Sequence, residues 1–192
     1  MTPPPNLARL VALLRTPSEI WRALAAETPA PRALLIGLVA PLALAAAAFP
    51  ALVRLAFGES VLGTIYRPPI VDVVFAIVAG AILGVAAVAA VAATIDRLAT
   101  AFEGERNFAR AFALAAYASA PAFTAAILAA IPGLWMTAGI GLYAVWLLYL
   151  GLPIMMRSPP DRSLAYATTA TIAALVALGV AAALTACVAQ AF

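Results

Sequence analysis

The chain has 192 residues, 66% of them hydrophobic and only 10% charged, with a formal charge of +3 and no histidine. Its mean hydropathy of +1.08 lies well beyond that of soluble domains, in which about half the residues are apolar and about a quarter charged. Without histidine or lysine there is no His-based triad, zinc-protease motif, P-loop lysine or Schiff base, and the single cysteine, Cys187, excludes an internal disulfide or thiolate cluster. No catalytic residue, cofactor or metal is therefore expected, and the chain reads as a non-enzymatic membrane protein.

Residues 1–32 form a cytoplasmic amphipathic segment ahead of a membrane domain over 33–192. The opening "MTPPPNLARLVALLR" lacks the apolar core and small-residue cleavage site of a secretory leader, so no cleaved signal is expected. "TPSEIWRALAAE" predicts a short helix, with Thr16 as N-cap, Pro17 at the first helical position and Glu19 completing a capping box. Ile20, Trp21 and Leu24 make its apolar face, and Leu7, Leu10, Val11 and Leu14 make a second apolar face upstream. Such segments either lie flat in the headgroups or pack on the cytoplasmic end of a helix bundle.

A hydrocarbon core about 30 Å thick takes roughly 20 apolar residues of α-helix. Five stretches meet that length, at 33–53, 70–95, 108–131, 134–156 and 164–189. They are helices rather than strands, because a span in lipid has to satisfy its own backbone N–H and C=O groups and these runs lack the alternation of a barrel strand. The expected fold is thus all-α, a polytopic bundle of five transmembrane helices with N-terminal interfacial helices. Pro41, Pro50, Pro121 and Pro153 fall within or at the ends of these spans and predict kinks, since each removes a backbone donor.

All eleven basic residues are arginine, and they are unevenly placed. Nine lie before span one, after span two or after span four, and two (Arg54, Arg67) lie on the other side. The positive-inside rule then puts the N-terminus in the cytoplasm and the C-terminus outside. Arginine usage follows an alanine-rich, GC-rich coding bias and gives no reason to expect nucleic-acid binding; anionic lipid is the expected counterpart of these basic loops.

Three groups of residues are candidates for function. The charged island around "IDRLATAFEGERNFAR", with the loop after span four and the Trp21 helix, makes a candidate cytoplasmic partner surface of Trp21, Asp96, Arg97, Glu105, Arg106, Asn107, Arg110, Arg157, Asp161 and Arg162. Ala76, Gly80 and Gly84 recur every four residues and form a small-residue stripe for close helix packing, within the chain or between copies. Tyr117, Ser119 and Pro121 form a candidate polar kink, where a hydroxyl can satisfy the carbonyl freed by the proline or line a polar pocket.

Two stretches carry a resemblance. "IDRLATAFEGERNFARAFALAAYASAPAF" and "LYAVWLLYLGLPIMMRSPPDRSLAYA" resemble the bacterial branch of the Yip family, the Ypt-interacting membrane proteins, through Ile95, Asp96, Phe102, Gly104, Asn107, Phe108, Tyr117, Pro121, Tyr149–Pro153, Met156, Pro159 and Tyr166 in order. Glu103 stands where the family pattern has a second glycine. The resemblance implies a five-span fold with a cytoplasmic N-terminus in a bacterial inner membrane. It agrees with a scaffold or adaptor that meets lipid headgroups, other membrane proteins or a second copy through its cytoplasmic loops. The alternative is a small permease or lipid-moving transporter working through a groove between kinked spans, whose sign would be a polar cavity near Tyr117, Ser119 and Thr124.

Overall fold

A computed structural model describes residues 9–10, 12–13, 16–27, 30–61 and 64–191. The fold is all-α apart from one small hairpin. Helix α1 spans Pro17–Glu27, α2 Pro31–Phe57, α3 Ile70–Leu98, α4 Phe108–Ala129, α5 Tyr143–Met155 and α6 Ser163–Ala191. Strands β1 (Glu59–Val61) and β2 (Thr64–Tyr66) pair antiparallel between α2 and α3, with Ser60 opposite Ile65.

Three of the predicted spans are helices long and apolar enough to cross a membrane: Pro31–Phe57, Ile70–Phe102 and Phe108–Ala129. The fourth differs from expectation. Residues Trp135–Leu142 form a 3₁₀ helix and only Tyr143–Met155 is α-helical. Gly139 and Gly141 fall in the 3₁₀ part, and glycine is about 1 kcal/mol poorer than alanine in an α-helix. The tighter winding rises about 2 Å per residue, so the two pieces together still extend roughly 35 Å. The fifth stretch is one 29-residue helix, α6.

The first span carries a five-residue π segment, Leu35–Val39, just before Pro41, and Pro50, Pro121 and Pro153 sit inside α2, α4 and α5. Helix α4 is the centre of the bundle. It packs against α2, α3, α5 and the 3₁₀ segment, and Ala111–Ala118 are all buried. Five of these eight residues are alanine, a weak core in water, but between membrane helices small side chains let backbones close up and dispersion replace the missing hydrophobic drive.

The small-residue stripe does this within the chain. A methyl group placed on Gly80 would lie 3.0 Å from the Ala47 Cβ, and one on Gly84 would lie 3.1 Å from the Ala43 Cβ, so α3 meets α2 at these glycines. Ala76 is half-buried one turn further along.

The N-terminal segment is packed on the bundle, not spread flat on a surface. Leu13, Trp21 and Leu24 are buried in the same core as α4 and α5, and α1 lies along α5. Of the upstream apolar face, Leu10 packs against that core, whereas Leu7, Val11 and Leu14 lie outside the described residues.

Candidate functional site

The loops at the arginine-rich end are closed on each other. Helix α3 runs into a 3₁₀ turn, Ala99–Phe102, and stops at Glu103, whose φ of 57° is left-handed. Gly104 N–H donates to the Ala99 carbonyl at 2.7 Å, the six-to-one bond of a Schellman cap, with Glu103 at the position that glycine usually fills. The glycine expected here from the family pattern therefore has a conformational reason. Asn107 then caps α4, its side-chain oxygen accepting from Arg110 N–H at 3.1 Å.

The loop after α5 docks on this cap. Glu105 N–H donates to the Met156 carbonyl at 2.8 Å, and a methyl group on Gly104 would lie 2.9 Å from that same oxygen. Arg157, also left-handed with φ of 52°, donates to both Glu105 carboxylate oxygens at 3.0 and 3.1 Å. Arg110 approaches Glu105 at 3.7 Å, and Arg162 meets Glu103 at 2.8 Å. Asp96, only 8% exposed, is bonded by Arg106 at 2.9 Å. Beneath these pairs the Tyr166 hydroxyl donates to the Ile95 carbonyl, and its ring stacks on Phe102 with centroids 4.7 Å apart.

Glu103 and Glu105 with Arg157 and Arg162 thus latch the two loops together, while Asp96, Arg106 and Arg110 pair within the first loop. Arg97 and Asp161 are exposed beside it. Trp21 is a correction to the expected surface. It is fully buried, its indole in the notch left by Gly151, where a methyl group would come within 3.0 Å of the ring. Its indole N–H has no partner, as does Arg110 Nε.

The polar kink is also rearranged. Ser119 donates to the Ala116 carbonyl at 3.0 Å and Thr124 to Ala120 at 2.9 Å, so neither hydroxyl serves the Tyr117 carbonyl that Pro121 frees. Tyr117 is fully buried and hydrogen-bonds to Arg9. Arg9, its side chain 11% exposed, also donates to Glu27 at 2.6 Å. Burial works against the Arg9 charge, but the bonds to Glu27 and Tyr117 outweigh it and hold the guanidinium above the ordinary arginine range. In the sequence Arg9 is one of the arginines counted before span one, and nothing local marks which of them turns inward.

Between the helices, next to Ser119, lies a cavity of about 480 Å³, lined almost wholly by apolar side chains. It is not the polar passage expected of a permease for polar solutes.

These features define a polytopic α-helical membrane protein whose loops at one end form a salt-bridged cap. The Yip1 domain matches residues 11–182, and the chain belongs to that family. No curated protein and no solved structure matches it. Ile95, Phe102, Gly104, Asn107, Met156 and Tyr166, which carried the resemblance in the sequence, meet in this cap.

Proposed function

We propose that the protein is a non-enzymatic scaffold of the bacterial inner membrane. Five spans carry its N-terminus and arginine-rich cap in the cytoplasm and its C-terminus outside, and the cap meets a partner membrane protein or anionic headgroups. The observation that carries this reading is the latch. Two ion pairs and a backbone bond between the loops, two ion pairs and two helix caps within the first of them, and a buried tyrosine bond hold both loops in one shape, which is what a docking platform needs and what a solute gate does not.

In this reading Arg97, Asp161, Arg22 and Glu19, all exposed, provide the contact groups, and the paired residues set their positions. Topology comes from the arginine excess at this end, against Arg54 and Arg67 at the other.

The test is photo-crosslinking in native membranes from probes at Arg97 and Asp161, with a probe at Arg67 as the control. A single defined adduct from the first two, absent at the third, is expected. No defined adduct, together with solute flux through vesicles containing the pure protein, would overturn the scaffold reading.

A further inference from the structure

The cavity beside Ser119 sits at the mid-height of α2, α3 and α4. On α3 it spans Gly80 to Val91, and Gly84 lies halfway between Ile70 and Leu98. On α2 it is lined by Ala43 and Ala47 and on α4 by Ala115 to Ala126, again the central turns. In helices long enough to cross a bilayer, that height is the hydrocarbon midplane.

Its walls do not suit water. A buried water needs two to four polar partners. Among the described residues, the hydroxyls lining the space are Ser119 and Thr171, and both already donate to backbone carbonyls, at 3.0 and 2.7 Å. Nor does the space suit a vacuum. An engineered apolar cavity of about 150 Å³ already takes up benzene, and this space, about 480 Å³, opens between the helices. An empty space of that size forfeits the dispersion contacts of its whole lining. Leu175, on the rim, is 64% exposed, so the cavity meets the lipid-facing surface beside α6.

We infer that this cavity is a binding site for one acyl chain of a bilayer phospholipid, entering sideways past Leu175 with its headgroup left at the membrane surface. At the midplane the apolar filler at hand is hydrocarbon chain, and the volume falls in the range of pre-formed ligand pockets, about 300–1,000 Å³. The many alanine and glycine side chains explain the room. Gly80 and Gly84 touch α2, and the alanines around them are too short to fill what remains. The chain is held by shape, in the way small-residue surfaces admit a neighbouring helix.

The experiment uses the full chain in phospholipid nanodiscs doped with phosphatidylethanolamine that carries a diazirine in mid-chain. Adducts are mapped by mass spectrometry. On α3, Leu83 lines the cavity while its neighbour Ile82 faces outward, 63% exposed. Labelling is expected to concentrate on Leu83 and Val145 over Ile82. Ala87→Phe and Ala144→Phe, which fill the cavity, should each lower the inward labelling about tenfold, the equivalent of one decade in affinity. Ile82→Phe should leave it unchanged. Equal labelling of Leu83 and Ile82 overturns the proposal, as do inward adducts that persist in a folded filling variant. If both filling variants fail to fold, the wild-type ratio of Leu83 to Ile82 adducts decides by itself.

Discussion

Trp21 separates two pictures of the N-terminal segment. If the indole anchors α1 in headgroups, truncating it costs little and its N–H matters. If it fills the Gly151 notch, as the structure has it, the ring matters and the N–H does not. Trp→Ala in a packed site costs about 3–5 kcal/mol. The lower end applies here, because a detached α1 can rest its apolar face on the interface. A loss of about 3 kcal/mol raises the population with α1 detached roughly 100-fold. Trp21→Phe keeps most of the ring and removes an unpartnered buried donor whose burial costs about 1 kcal/mol or more, so the two effects nearly cancel. Trypsin reports the difference, since Arg22 lies within the helix and Arg32 just after it, and both are exposed. When opening is fast relative to cleavage, the cutting rate follows the open population. Trp21→Ala should be cut about 100-fold faster than wild type, and Trp21→Phe within about threefold of it. Comparable cutting of the two variants, or a Trp21→Ala rate close to wild type, would refute the buried placement.

The other predictions concern the cap and the Arg9 contact. Gly104→Ala places a methyl 2.9 Å from a backbone oxygen, and should cost about 1–3 kcal/mol in thermal or denaturant unfolding. Glu103→Gly relieves a left-handed side chain worth about 1–2 kcal/mol. It also gives up glycine's extra chain entropy and an exposed ion pair, each about 0.5–1 kcal/mol or less, so stability should stay level or rise by up to about 1 kcal/mol. Tyr166→Phe keeps the stack on Phe102 and leaves the Ile95 carbonyl its bond from Ala99 N–H, so it loses one buried hydrogen bond and should cost about 0.5–1.5 kcal/mol. Arg9→Met, read by the same trypsin assay, should speed cutting more than Arg22→Met does at Arg32, since Arg9 alone of the two reaches Tyr117.

Span ends were legible in the sequence because hydrocarbon thickness fixes length and apolar content together. The predicted start at 70 and start at 108 coincide with Ile70 and Phe108. The 3₁₀ segment was not legible, since "WMTAGIGL" is as apolar as an α-helical span and hydropathy is blind to winding. The hairpin went unread because its strands are only three residues each. Trp21 was correctly assigned to an apolar face, but a headgroup and a groove in the bundle ask the same pattern of a helix. The charged loop looked like free surface because the partner of Glu105 lies 52 residues away, at Arg157. Only the family pattern linked those loops, and what it tracks is largely their packing.

The Tyr166–Ile95 bond joins residues 71 apart in the chain. During synthesis, α3 and its arginine loop emerge from the ribosome long before the tyrosine exists. Until α6 arrives, the Ile95 carbonyl has only the Ala99 N–H and the flat face of Phe102 lacks its stacked ring, so this end of the bundle closes only once α6 is made.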